Sequence, residues 1–133
     1  LFEAWTTGSH GSTYGGNPVA CAAAISTIEL LQGGLIENAI ARGEQGLAAL
    51  REIAGRFPET VVDARGLGLM LAIELATPAQ AEALEYEAFT RGLLVLGCGQ
   101  KSVRISPPLV IDEATMASGL DVLAEAVEAI AAR

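Results

Sequence analysis

VVDARGLGLMLAIELATP, residues 61–78, is the stretch of sequence that decides the fold. Residues 61–65 predict a short β-strand, and residues 69–75 predict a second strand segment that continues the first around a glycine-rich bend. Thr77 and Pro78 predict a helix start, because Thr caps a first turn and Pro is favoured at the first helical position. The stretch therefore predicts strand structure followed directly by a helix.

Apolar runs bounded by capping residues, prolines and glycines predict the elements on either side. Helices are expected at about 18–32 with Asn17 as cap, at 35–57, at 77–92, and from the capping residue Asp112 onward. Further strands are expected at 93–96 and 102–106. The last helix carries a continuous apolar stripe formed by Met116, Leu120, Leu123, Val127 and Ile130. Helices on one face of a small, mostly antiparallel sheet of about three strands are the economical packing, so the predicted fold class is α+β.

The first predicted helix differs from the others, because residues 19–31 are apolar on nearly every side. A helix of this kind is usually buried. We therefore expect it to be buried outside the sheet layer, against sequence upstream of Leu1.

Composition and charge argue against several classes of partner. The net charge is −8, with 16 acidic and 8 basic residues and no basic cluster, which disfavours a nucleic-acid partner. No uninterrupted apolar run reaches the ~20 residues of a membrane span, so no membrane partner is expected. Cys21 and Cys98 lack CxxC spacing, which disfavours a metal site or disulfide and favours a reducing cytoplasm.

The glycine-rich segment His10–Pro18 carries the strongest chemical signal. Its two hydroxyls, on Ser12 and Thr13, precede a predicted helix N-terminus, an arrangement that suits an anionic oxygen such as phosphate. The same residues are equally consistent with a capped loop in which both hydroxyls bond the local backbone. The residues alone leave both interpretations open.

Four ordered motifs give the chain a resemblance to a known family. They are HGSTYGGNPVACAAA (10–24), RGLGLM (65–70), GLLVLGCG (92–99) and VRISPPL (103–109). In this order they resemble the class III pyridoxal-phosphate-dependent aminotransferases, which include 4-aminobutyrate, ornithine and acetylornithine aminotransferases. The resemblance implies that residues 35–133 form the C-terminal small domain of a fold-type I enzyme. Residues 1–34 would be the loop and helix that end its large cofactor-binding domain.

The resemblance also implies roles for three residues. Thr13 would contact the phosphate of pyridoxal 5'-phosphate across a homodimer interface, with Ser12 a weaker candidate beside it. Arg104 would bind the substrate carboxylate, since a guanidinium forms two parallel hydrogen bonds with it. Without the resemblance, the sequence favours a surface arginine on a strand at position 104. Arg65 is interpreted as structural, paired with an acidic neighbour.

The catalytic lysine of that family has no counterpart in this sequence. The one lysine, Lys101, lies in a polar turn and is expected to be solvated. A Schiff-base lysine is central to this chemistry, and the resemblance places it upstream of Leu1, which is not an initiator Met. The chain is therefore expected to be a piece of a longer enzyme, with no catalytic residue of its own and no activity alone.

The implied reaction moves an amino group from an amino acid or omega-amino acid to a 2-oxo acid. The segment at 92–99 leans toward a 4-aminobutyrate-like donor. Two alternatives stay open: an amino-acid racemase or epimerase of the same family, and a non-catalytic dimerisation module, which the missing lysine suggests.

Overall fold

The computed structural model describes residues 3–132 of the chain. Leu1, Phe2 and Arg133, at the outer ends of the two predicted domains, lie outside the described residues. The helices and strands run in the order α1 (Pro18–Leu30), α2 (Ile36–Arg56), β1 (Val61–Leu67), β2 (Met70–Leu75), α3 (Pro78–Thr90), β3 (Leu96–Cys98), β4 (Ser102–Ile105) and α4 (Glu113–Ala131).

The chain divides into two compact units at the junction between α1 and α2. The N-terminal unit ends at Gly33 and the C-terminal unit begins at Gly34. The helical backbone is interrupted by a kink in Leu31–Leu35, where Gly34 has a non-helical φ of 119°. A backbone of this kind is open to glycine and strained for other residues. The two units are described separately below.

The C-terminal unit contains the predicted antiparallel sheet, with four strands instead of about three. Their order is β1-β2-β4-β3, and every neighbouring pair is antiparallel. The expectation that residues 69–75 continue the first strand is wrong, because β1 and β2 form a hairpin in which Leu67 faces Met70. Gly68, with a φ of 54°, allows the chain to reverse there. The α+β fold class is confirmed.

The helices α2, α3 and α4 cover one face of this sheet. Leu71, Ile73 and Leu75 alternate along β2 and are at most 1% exposed, as expected for one face of a strand. Val103 of β4 joins the same core. The predicted stripe of α4 is confirmed, because all its members are buried: Met116, Leu120, Leu123, Val127 and Ile130.

The strand predicted at 93–96 is displaced in the structure. The strand β3 begins at Leu96 and extends through two residues of the predicted turn. Val95 is buried, but Leu94 is 80% exposed, so the expectation of a buried strand is wrong for this run. Residues 93–95 connect α3 to a strand at the sheet edge, and an apolar run does not by itself distinguish such a connection from a core strand.

Close approach explains two buried glycines of α2. A Cβ at Gly43 would lie 2.4 Å from the carbonyl oxygen of Gly68, and one at Gly46 would lie 2.4 Å from Cε of Met116. The helix therefore sits directly against the β1–β2 turn.

In the N-terminal unit, a loop precedes the single helix α1. The predicted start is confirmed, because Asn17 Oδ1 accepts a hydrogen bond from the Ala20 backbone N–H at 2.9 Å and Pro18 is the first helical residue. Within the described residues α1 has no buried residue and Val19 is 81% exposed, so burial against sequence upstream of Leu1 stays a prediction. This unit is one loop and one helix, which is too little chain to cover an apolar helix.

By length and composition alone, the helical run Pro18–Arg56 is long and apolar enough to cross a membrane. Core helices of soluble proteins meet the same criterion. It therefore does not identify a membrane span.

Candidate functional site

Arg104 lies on the sheet face that α2, α3 and α4 leave open. It pairs in register with Ala72 of β2, and Ala72 pairs on its other side with Arg65 of β1. Since neighbouring strands are about 4.8 Å apart, the backbones of the two arginines are roughly 10 Å apart. We define the open face by the side chains of Asp63, Arg65, Leu67, Met70, Ala72, Glu74, Ser102 and Arg104.

A shallow cavity of about 560 Å³ occupies part of the open face. Both arginines line it, together with Gly66, Leu67, Met70, Leu71, Ala72 and Cys98. Leu67 and Met70 are 89% and 74% exposed. The cavity therefore combines cationic groups with apolar side chains that are accessible to a ligand.

Arg65 is held by its neighbours, as expected for a structural arginine. Its Nη1 donates to Asp63 Oδ2 at 2.7 Å and to Glu74 Oε2 at 3.0 Å, and its Nη2 donates to Ser102 Oγ at 3.1 Å. The hydrogen bonds to Asp63 and then Glu74 raise the pKa of the Arg65 guanidinium. Its charge is locally compensated.

Lys101, which was expected to be solvated, is partly exposed and is also paired. Its Nζ lies 3.2 Å from Glu74 Oε1, with the lysine side chain 39% exposed. The hydrogen bonds from Lys101 and then from Arg65 lower the pKa of Glu74. Glu74 thus holds one cation on each carboxylate oxygen.

Arg104 contrasts with both of these cations. It is exposed, and within residues 3–132 no side chain forms a hydrogen bond or ion pair with its guanidinium. Arg104 belongs to β4, and the neighbouring strands β2 and β3 hold the backbone of β4 on both sides. Its guanidinium is available to an anion on a rigid support.

The glycine-rich loop of the N-terminal unit distinguishes the two candidate hydroxyls. Ser12 Oγ accepts a hydrogen bond from the Gly15 backbone N–H at 2.9 Å, as in the capped-loop interpretation. Thr13 is exposed, and its hydroxyl forms no hydrogen bond with any described residue. Gly16, with a φ of 77°, supplies the turn into α1. Thr13 is therefore the freer donor, although Ser12 still has its O–H proton to donate.

Two features of the sites were not identified from the sequence. The rings of His10 and Trp5 are in contact, with centroids 3.8 Å apart. The network around Glu74 was also missed, although acidic and basic residues alternating with apolar ones in 61–65 and 71–75 indicate a charged strand face. In the described part of the chain, no group of three His, Cys, Asp or Glu residues is placed to hold a metal ion.

Comparisons with known proteins give a consistent result. The family model described as "Aminotransferase class-III" matches residues 1–127. An acetylornithine aminotransferase from Synechocystis sp. is 36% identical over 94% of this chain and 30% of its own length. A putrescine aminotransferase from Pectobacterium atrosepticum is 46% identical over 77% of this chain and 22% of its own length.

Solved structures match in the same way. A lysine aminotransferase from M. tuberculosis has a TM-score of 0.83 and 34% identity, over 90% of this chain and 28% of its own. An acetylornithine aminotransferase from Elizabethkingia anophelis has a TM-score of 0.85 and 30% identity, over 93% of this chain and 32% of its own. The chain spans less than a third of the length of each of these four proteins.

Proposed function

The chain belongs to the class-III aminotransferase family, and from this premise we propose that it is the C-terminal part of a pyridoxal-phosphate-dependent enzyme that moves an amino group from an amine donor to a 2-oxo acid. The catalytic lysine would lie upstream of residue 1. The division at the α1–α2 junction supports assigning residues 1–34 to the end of a large domain and 35–133 to a small domain. We expect the enzyme in the cytoplasm.

The observation that carries this proposal is the exposed guanidinium of Arg104, which has no hydrogen-bond or ion-pair partner among residues 3–132. Every 2-oxo acid has a carboxylate, whatever the donor, and a planar guanidinium binds carboxylate through two parallel hydrogen bonds. Because β4 already orders the backbone at Arg104, binding costs the ordering of the side chain but not of the backbone. Arg104 would therefore orient the acid toward the reacting centre.

The names of the relatives narrow the proposed donor. Putrescine, ornithine, lysine and acetylornithine differ in their carboxyl and acyl groups, but each name denotes a compound with an amine on an aliphatic chain. We therefore propose a donor with a terminal amine, a class that includes the 4-aminobutyrate-like donor suggested by residues 92–99. Putrescine has no carboxylate, so a donor of this class does not always offer one to Arg104. The 2-oxo acid acceptor always does.

The loop before α1 fits a supporting contact to the cofactor. The Thr13 hydroxyl is exposed and has a proton to donate to a phosphate oxygen, and the Ser12 hydroxyl can donate while its oxygen accepts from Gly15. When bound, pyridoxal phosphate supplies an electron sink for the carbanion formed at the donor carbon. We propose that Thr13 makes this contact to the cofactor of the partner subunit in a homodimer, with Ser12 as the weaker donor.

The test is Arg104→Gln in the full-length enzyme, which keeps a polar side chain but removes the guanidinium and its charge. A hydrogen bond to a charged group contributes about 1.5–3 kcal/mol, so the KM for the 2-oxo acid should rise roughly 10- to 100-fold. With a diamine donor, the donor KM should change little. Steady-state kinetics with each substrate varied in turn measures both effects.

Arg51→Gln is the matched control, because Arg51 is exposed on α2 and unpaired within the described residues. This variant should behave like the wild type. Equal acceptor KM values in the wild type and Arg104→Gln would remove Arg104 from the site. If an amino acid lost its optical activity and no amino group reached the 2-oxo acid, the reaction would be racemisation instead of transamination.

A further inference from the structure

We propose that Asn38 is a positioning residue for Arg104, because it anchors the segment through which the strand of Arg104 leaves the sheet. The inference rests on the proposed function, since it takes Arg104 as the carboxylate-binding residue. Asn38 lies in the first turn of α2, is half-buried and has no other assigned role.

Arg104 lies where the support that β4 receives from the sheet comes to an end. It pairs with Ala72 of β2 on one side and with Leu96, the first residue of β3, on the other. The next residue, Ile105, ends β4 and pairs only with Leu71 among the described strands. The course of the chain beyond Ile105 therefore depends on contacts other than strand pairing.

Asn38 supplies the next anchor along the chain. Its Nδ2 donates hydrogen bonds to the backbone carbonyl oxygens of Leu109 at 2.7 Å and Ile111 at 2.9 Å. Pro107 and Pro108 lie between this anchor and β4, and each proline ring fixes the φ of its residue. A displacement of the anchored residues should therefore reach the end of β4, because the stiff connection absorbs little of it.

The helix that carries Asn38 is itself fixed against the sheet. A Cβ at Gly43 would lie 2.4 Å from the carbonyl oxygen of Gly68, so α2 closely contacts the β1–β2 turn. The strand β2 begins directly after that turn, and its third residue, Ala72, faces Arg104. The helix α2 thus holds the start of β2 and, through Asn38, the exit of β4. These two contacts fix the end of the sheet at which Arg104 lies.

Gln45 offers a matched control on the same helix. Its Nε2 donates to the backbone carbonyl oxygen of Glu113 at 3.0 Å, so it forms the same kind of hydrogen bond as Asn38. Glu113 belongs to α4, beyond the capping residue Asp112, and is therefore further from Arg104 along the chain. Loss of the Gln45 bond should affect stability without displacing the guanidinium.

The experiment is a double-mutant cycle in the full-length enzyme, with the KM for the 2-oxo acid as its readout. A hydrogen bond between neutral groups contributes less than one to a charged group, so Asn38→Ala should raise this KM about three- to tenfold. The KM for a diamine donor should change little. In the Arg104→Gln background, Asn38→Ala should have no further effect, because residues that act through one another are not additive. Gln45→Ala should keep both KM values of the wild type.

Hydrogen exchange reports on the anchored segment directly. The backbone amides of residues 109–111 should exchange faster in Asn38→Ala than in the wild type, and Gln45→Ala should leave them unchanged. Asn38→Leu keeps the branched shape and lacks both donors, so it repeats each measurement if Asn38→Ala does not fold. Unchanged exchange in both Asn38 variants would show that Asn38 is not the anchor, and the inference would be overturned.

The cycle separates this inference from the proposed function. If Arg104→Gln raises the KM for the 2-oxo acid and Asn38→Ala does not, the positioning role of Asn38 alone is overturned. The same holds if Asn38→Ala raises this KM equally with and without Arg104. If Arg104→Gln itself leaves the KM unchanged, the proposed role of Arg104 and the positioning role of Asn38 are both overturned.

Discussion

The two faces of the sheet use the same four strands for different purposes. Toward the helices, Leu71, Ile73 and Val103 are at most 1% exposed and form the core. On the open face, the residues between them are small, charged or solvent-exposed. In β2, where burial alternates from one residue to the next, this pattern separates the part of the strand that provides stability from the part that can bind ligands.

The two faces also differ in how tightly their groups are held. Core side chains are fixed by packing on all sides, and a change there leaves a cavity. The charged groups of the open face are held by ion pairs with partly exposed partners, which contribute little to stability. Substitutions on the covered face should therefore affect folding, whereas substitutions on the open face should mainly affect binding.

The largest expected effect compares Ile73→Ala with Met70→Ala, two substitutions in β2 on opposite faces. Ile73 is fully buried, and its truncation should lower the free energy of unfolding by about 2–5 kcal/mol. Met70 is 74% exposed, and its truncation should change it by less than about 0.5 kcal/mol. Urea denaturation followed by circular dichroism measures both. Equal shifts of the unfolding midpoint would contradict the separation of the two faces.

A smaller effect is expected at two glycines of α2. An added Cβ at Gly43 meets the backbone of Gly68 at 2.4 Å, and backbone does not move aside cheaply, so Gly43→Ala should destabilise by about 1–3 kcal/mol. Gly55 has open space around it, so Gly55→Ala should stabilise by about 0.4–1 kcal/mol. The opposite signs can be read from thermal unfolding. Stabilisation by both substitutions would show that α2 is not seated against the β1–β2 turn.

The features predicted well from the sequence are those encoded by neighbouring residues. The stripe of α4 and its Asp112 cap depend on spacing within one helix, and both are present, with Asp112 Oδ1 accepting from the Thr115 backbone N–H at 2.7 Å. The cap of α1 at Asn17 is local in the same way. Such signals need no knowledge of the rest of the fold.

The features that were missed depend on geometry between distant residues. The β1–β2 hairpin follows from the positive φ of Gly68, whereas a glycine in sequence is compatible with either a bend or a reversal. The pairing of Arg65, Glu74 and Lys101 depends on the registers of β1, β2 and β4, which no short motif specifies. The position of Arg104 on a strand was expected, but only the structure shows that it has no side-chain partner in the described part of the chain while Arg65 is paired.

The smallest expected effect is the pH dependence that the open face adds to stability. The pKa of Glu74 is lowered from 4.5 in the folded protein by Lys101 and Arg65. A carboxylate with a lowered pKa stabilises the fold above its unfolded-state pKa, and this contribution is lost as the pH falls through the folded-state pKa. Stability should therefore decline below about pH 4.5 more steeply in the wild type than in Glu74→Gln. Urea midpoints at pH 7, 5, 4 and 3 measure this decline.

Asp112→Asn is the informative comparison for that measurement. The pKa of Asp112 is also lowered, mainly by the hydrogen bond from the Thr115 backbone N–H, and this residue caps a helix of the covered face. Asn caps a helix about as well as Asp, so this variant should keep the cap and lose only the titration. If Asp112→Asn flattens the acid limb and Glu74→Gln leaves it unchanged, the open-face network contributes nothing to folding. The division of labour between the two faces would then be sharper than the ion pairs suggest.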